Sequence, residues 1–222
     1  MLHILYEDDA LLFINKPPGI VIQPSLKPEE PYLLAEVMQH APGAFLMQRL
    51  DKGTSGVMFF SKMSGINAKL TRQFETKEIR KRYVALVRGA CAERQVIDAP
   101  LARIGAIKFA VRDEGKRAVT AVAPLRAAAG ASLVSLELRT GRTHQIRVHM
   151  AAIGHPLLGD WLYGARDAAR PMLHSAELVM MHPLTRQRLR VAAAPPDDFV
   201  DCAVEQGVMS RGEDIPSAFE CG

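Results

Sequence analysis

Gln48-Arg49-Leu50-Asp51-Lys52-Gly53-Thr54-Ser55-Gly56 runs directly into Val57-Met58-Phe59-Phe60. The second part is an unbroken run of apolar side chains, β-branched and aromatic among them, and reads as a buried strand. The first part gathers Asp, Arg, Lys, Thr, Ser and two glycines immediately before that strand. Loops at the ends of strands, fixed by a rigid scaffold, are where reactive side chains usually stand. A carboxylate between Arg49 and Lys52 is expected to be held ionised, fit to act as base or nucleophile. An isolated Asp in a glycine-rich loop more often only caps a turn, so this stretch alone leaves both readings open.

Working outward, residues 2–6 and 11–15 are short apolar runs around the acidic turn Glu7-Asp8-Asp9 and read as a hairpin. Lys16-Pro17-Pro18-Gly19 breaks the second strand, because proline lacks the donor a ladder needs. A proline-rich loop then leads to a helix over 32–40, closed by Pro42-Gly43. Beyond the strand, Ser64 is placed to cap a helix whose Ile66, Leu70 and Phe74 share one face. Further strands are expected over 83–87, 118–123 and 133–138, with 99–116 a long loop or protruding hairpin. Thr143 stands at an N-cap position, and Gly154 with Pro156 closes the helix that follows. Strands over 173–180 and near 189–192 complete the body, and Pro195-Pro196 marks its end. This order, with several direct strand-to-strand links, specifies α+β rather than a doubly wound parallel sheet.

The 222 residues carry a formal charge of +4, with 48% apolar and 23% charged side chains, a globular rather than a disordered balance. The small total hides an asymmetry. Residues 197–222 hold seven acids and the single base Arg211, a net of −6, which leaves residues 1–196 at +10. A body that basic suits a polyanion as readily as it suits mere solubility. No apolar run approaches the roughly 18–20 residues of a membrane helix. The acidic start is unlike a secretory signal. Cys91, Cys202 and Cys221 are odd in number and lack metal-ligand spacing, so they read as reduced cytosolic thiols.

Several chemistries are disfavoured. His144 and His149 lie five apart, not at the i, i+4 spacing of a zinc pair, and no metal site is expected. There is neither a P-loop nor a GxGxxG, and Ser55 is outside any GxSxG elbow. Two basic segments remain. Thr140-Gly141-Arg142-Thr143-His144-Gln145-Ile146-Arg147-Val148-His149 opens a helix with an inward stripe of Ile146, Met150 and Ile153 and a polar edge expected to face a cleft. Helix N-termini bind anions, so Arg142 suits a phosphate, and Arg147 could reach a carboxylate from another loop. Residues 62–94 carry nine bases and three acids, and Tyr83 among them could stack on a base or simply belong to the core.

In this order the segments resemble the RluA-type family of RNA pseudouridine synthases. The words that carry the resemblance are Asn15-Lys16-Pro17-Pro18-Gly19, Arg49-Leu50-Asp51 with Thr54-Ser55-Gly56-Val57, Lys81-Arg82-Tyr83-Val84-Ala85, the 140–149 segment, and Gly154-His155-Pro156-Leu157-Leu158-Gly159-Asp160. Gln73-Phe74 and Leu173-His174 also fit. The likeness covers about residues 4–199 and stops at the acidic tail.

The resemblance implies a mixed, largely antiparallel sheet with flanking helices and a central basic cleft. It implies a catalytic domain over 1–199 and an acidic tail over 200–222, either disordered or folded back on basic surface. The implied reaction isomerises uridine within RNA: the N1–C1′ bond breaks, the uracil turns, and C5 joins C1′, with no cofactor and no metal. Asp51 matches the catalytic aspartate, which attacks or deprotonates the ribose. Arg147 matches the arginine that pairs with it, Tyr83 the tyrosine that packs on the uracil, and Leu173 an apolar residue lining the site. Arg49 matches the arginine that contacts the backbone or fills the gap left by the flipped base. Two departures stand out: Gln48 replaces a histidine before Arg-Leu-Asp, and Gln23 replaces one after the Lys-Pro turn. Gln48 can position a neighbour but cannot move a proton. With the chain opening at its first strand, target choice is expected to rest with the catalytic domain, the 99–116 segment included.

The expected partner is ribosomal or transfer RNA, not DNA or membrane, met in the cytoplasm by a monomer. A non-catalytic RNA-binding or chaperone protein of the same fold predicts binding without turnover. A hydrolase using Asp51 lacks a second carboxylate for a two-carboxylate mechanism.

Overall fold

A computed structural model describes residues 2–24, 29–213 and 215. In chain order the elements are β1 (Ile4–Glu7), β2 (Leu11–Lys16), α1 (Leu33–His40), β3 (Phe45–Leu46), β4 (Ser55–Ser61), α2 (Asn67–Glu75) and β5 (Arg80–Arg88). There follow β6 (Gln95–Asp98), β7 (Leu101–Arg103), β8 (Phe109–Val111), β9 (Val119–Ala127), β10 (Ala131–Leu138) and α3 (Gln145–Ala152). The last are β11 (Leu173–Met181), β12 (Arg188–Ala192) and α4 (Asp197–Glu205). The fold class is α+β, with antiparallel pairing predominant. The chain divides into two compact units, one of residues 1–81 with 175–195, the other of 82–174 with 196–222.

In the first unit β2 pairs antiparallel with β1 on one side and β4 on the other, and β12 pairs with β11. Every residue of β4 is buried, as its apolar run predicts. The core stacks Phe13 on Phe59 at 5.1 Å and Phe59 on Phe74 at 6.0 Å, packed with Leu70, Leu178 and Met180. Asp8 organises the β1–β2 turn: Oδ1 accepts the N–H groups of Ala10 and Leu11, both at 2.8 Å. Ser64 does not cap α2. It opens a single 3-10 turn, and α2 starts from Ile66 without a side-chain cap.

In the second unit β9 pairs antiparallel with β10 and with β6. The 99–116 segment is a hairpin of β7 and β8, seated on α3 through Leu101, Ala118 and Val148 with Phe109, Val111 and Tyr163. The boundary expected at residue 199 falls inside α4, so the chain from 200 on does not begin as a separate tail. Phe199, Cys202 and Ala203 of α4, with Val208 and Met209 beyond it, are buried. Arg170 grips Asp198 at 2.6 and 2.9 Å, and Arg126 pairs with Glu213. Residues 214 and 216–222 lie outside the described residues. No helix among the described residues is long and apolar enough to cross a membrane.

Candidate functional site

Asp51 and Arg49 belong to the first unit; Tyr83, Arg147 and Leu173 belong to the second. Asp51 opens the turn that enters β4. Its carbonyl accepts the Thr54 N–H at 3.0 Å, and its side chain is half-buried. The Lys52 carbonyl accepts the Gly19 N–H at 2.8 Å, joining this turn to the Lys-Pro-Pro-Gly turn after β2. Arg49 is exposed and Leu50, beside Asp51, is buried. Lys52 pairs with Glu30 at 2.5 Å, so its ammonium is engaged away from the role expected of it beside Asp51.

The cation that organises this turn is Lys16. Its side chain is fully buried, and Nζ donates to the carbonyls of Pro17 at 2.9 Å, Lys52 at 3.1 Å and Thr54 at 2.9 Å. A buried ammonium is tolerated only when its donors are met, and here two of the three acceptors, the carbonyls of Lys52 and Thr54, lie in the turn just after Asp51. Nothing local in the sequence marks this use of Lys16, since two of its three partners lie 36 and 38 residues away. Gln48 donates its side-chain amide to the Val57 carbonyl at 3.3 Å, the positioning use left to a glutamine. Gly56 closes the turn with φ +110, and a Cβ there would stand 2.2 Å from the Ser175 carbonyl oxygen. Only glycine fits that approach.

In the second unit, Arg147 is nine-tenths buried and donates from Nε and Nη2 to Asp160 Oδ2 and Oδ1 at 2.7 and 2.8 Å. This bidentate fork holds the guanidinium in one orientation. Its Cζ stands 5.2 Å from the Tyr163 ring centroid. The Tyr163 hydroxyl accepts the Phe109 N–H at 3.0 Å and meets His144 Nδ1 at 2.8 Å, so hairpin and helix start share one hydroxyl while the arginine stands on the ring of the same side chain. Asp160 closes the Gly154–Asp160 stretch, 13 residues beyond Arg147, and nothing local in the sequence marks the pair.

The helix carrying Arg147 differs from expectation. Thr143 is not its N-cap; His144 is, with φ 57, and no side chain caps the helix. Nor is it amphipathic: Gln145 through Met150 are all buried. Gln145 donates to the Val119 carbonyl and Thr120 Oγ1, and His149 bonds Thr120 Oγ1 and the Ala99 carbonyl, so the polar residues are satisfied inside. Burial pushes the His149 imidazole down in pKa. Tyr83 in β5 and Leu173 at the start of β11 are 5% and 4% exposed, core positions as well as candidate contacts. Among the described residues, no three His, Cys, Asp or Glu side chains are grouped to hold a metal ion.

Residues 10–152 match the family model of RNA pseudouridylate synthases. The ribosomal large subunit pseudouridine synthase D of Zymomonas mobilis is 36% identical, over 89% of this chain and 70% of that protein. An uncharacterised RNA pseudouridine synthase of Bacillus subtilis, YjbO, is 37% identical over 89% and 74%. The human RNA pseudouridylate synthase domain containing 1 superimposes with a TM-score of 0.73 at 28% identity, over 88% of this chain and 84% of that one. Its human counterpart, domain containing 4, does so at 0.77 and 24% identity over 94% of both chains, a likeness of fold. The matched span contains the Lys16-braced Asp51 turn, Tyr83 and Arg147, and the chain belongs to the RluA-type family of RNA pseudouridylate synthases, enzymes that isomerise uridine to pseudouridine.

Proposed function

We propose that this enzyme isomerises one or more uridines of large-subunit ribosomal RNA, with Asp51 as the catalytic carboxylate. The observation that carries the reading is the Asp51 turn itself, braced from within by a buried lysine in a chain of this family. The relatives named for the large ribosomal subunit support ribosomal over transfer RNA. Asp51 acts on the ribose carbon or its proton to free the uracil at N1. The base turns, C5 bonds to C1′, and the C5 proton is lost while N1 gains one, so electrons and protons balance without a cofactor. Arg147 takes the part of the arginine that orients the catalytic aspartate, its own geometry fixed by Asp160. Tyr83 and Leu173 pack on the uracil, and Arg49 contacts the backbone or fills the vacated stack. Flipping costs a few kcal/mol of stacking, offset by phosphate contacts to a basic body. The enzyme works as a monomer in the cytoplasm, on RNA and not on DNA.

Pseudouridine mapping of total RNA from cells with and without the protein tests the substrate. The expected result is loss at defined uridines of large-subunit RNA. Loss confined to transfer RNA moves the substrate, and an unchanged map contradicts the proposal.

A further inference from the structure

Trp161 is the single tryptophan of the chain, and it is 51% exposed. It follows Asp160 directly, and the same carboxylate that grips Arg147 also accepts the N–H groups of Leu162 at 3.2 Å and Tyr163 at 3.3 Å. The turn that presents the indole is therefore fixed to the arginine through one side chain. Behind it, Gly159 has φ +72 and donates its N–H to Asp167 Oδ1 at 2.6 Å. A Cβ on Gly159 would stand 2.0 Å from the Arg170 carbonyl oxygen, so the turn is closely packed from that side. An exposed ring on a turn so held is a presented surface rather than a loose end.

Arg166 stands over that ring, its Cζ 5.9 Å from the centroid. Among the described residues it has no carboxylate partner, unlike Arg88, Arg147 and Arg170 in the same unit. An exposed aromatic ring beside a guanidinium with no carboxylate partner is the pairing that single-stranded RNA uses, with the base on the ring and phosphate on the cation. A protein partner fits poorly. One ring and one arginine are far short of the roughly 800 Å² per side of a stable interface.

We propose that Trp161 and Arg166 form a stacking subsite for an unpaired nucleobase flanking the target uridine of the substrate RNA. The proposal rests on the RNA reading above and adds to it a site that positions the strand beside Arg147. It assigns a nucleobase to the indole face and a phosphate to Arg166.

The single tryptophan makes the unmodified protein its own reporter. Its emission is followed while a uridine-containing single-stranded fragment of large-subunit ribosomal RNA is added. In parallel, the anisotropy of the same RNA, fluorescein-labelled, reports binding. The expected result is quenching that saturates at the concentration where anisotropy saturates. W161A weakens binding by about 5- to 150-fold while W161F, which keeps an aromatic face, recovers most of the loss. R166A lowers the salt dependence of binding by about one phosphate contact. RNA binding without quenching, or W161A binding as tightly as the unmodified protein, overturns the subsite and leaves the RNA reading intact. No anisotropy change for any RNA overturns both.

Discussion

Lys16→Met takes away the ammonium that braces the Asp51 turn while keeping side-chain length and apolar bulk. Lys16 makes three charge-assisted hydrogen bonds, to the carbonyls of Pro17, Lys52 and Thr54. At ~1.5–3 kcal/mol each these total ~5–9 kcal/mol, but removing a buried ammonium also relieves a desolvation cost of several kcal/mol. The Lys52 carbonyl keeps the Gly19 N–H. The carbonyls of Pro17 and Thr54 lose a charged donor to a methionine that offers none, at ~1–3 kcal/mol each. The net destabilisation is therefore ~2–6 kcal/mol, or ~4–24 °C in Tm for a chain of this size. The turn then relaxes, and a displacement of about 1 Å at the reacting group costs about 10²-fold in rate. Thermal unfolding followed by circular dichroism gives the first number. Tritium release from RNA labelled at uridine C5, measured well below the variant's Tm, gives the second. A variant with unchanged Tm and unchanged turnover refutes the bracing role.

Three further outcomes follow from buried geometry. Asp160→Ala leaves the Arg147 guanidinium buried without its fork and costs ~3–5 kcal/mol, or ~6–20 °C in Tm; a fall of under 2 °C by calorimetry contradicts this. Gly56→Ala places a methyl against the Ser175 carbonyl at a positive φ, so little folded protein is recovered, and a folded, active variant refutes the close approach. The Arg170 guanidinium bonded to Asp198 holds that carboxyl below the ordinary carboxylate range. A depressed folded pKa gives stability that is present above the unfolded value near about 4 and is lost as pH falls through the folded value. Native protein is therefore more stable than Asp198→Asn at pH 6, and their Tm values converge as pH falls below about 4; parallel curves contradict the pairing.

What the sequence made legible was local. The apolar run at 57–60 became the fully buried β4, and Gly154, at φ +84, does stop α3. The 99–116 segment is the hairpin offered as one of its two readings. What it hid depended on distant partners. Gln145, Arg147 and His149 look like a solvated helix edge because their types are polar, yet Val119, Thr120, Ala99 and Asp160 hold them inside. Ser64 and Thr143 have cap chemistry, but packing sets both helix starts one or more residues later. Lys16 lies in the Lys-Pro-Pro-Gly turn, and only the fold brings the carbonyls of Lys52 and Thr54 to its ammonium. At the acidic end, charge masks an apolar pattern. Phe199, Cys202 and Ala203 at i, i+3, i+4 were a visible apolar stripe, and they dock α4 on the second unit. Cutting the chain at residue 200 would thus open a core rather than trim a tail.

Whether Asp51 carries the isomerisation is read from C5-tritium release by the native protein and Asp51→Asn at equal RNA occupancy. The native protein is expected to release tritium, and Asp51→Asn to bind RNA undiminished with release reduced to background. Release by Asp51→Asn at the native rate would contradict it.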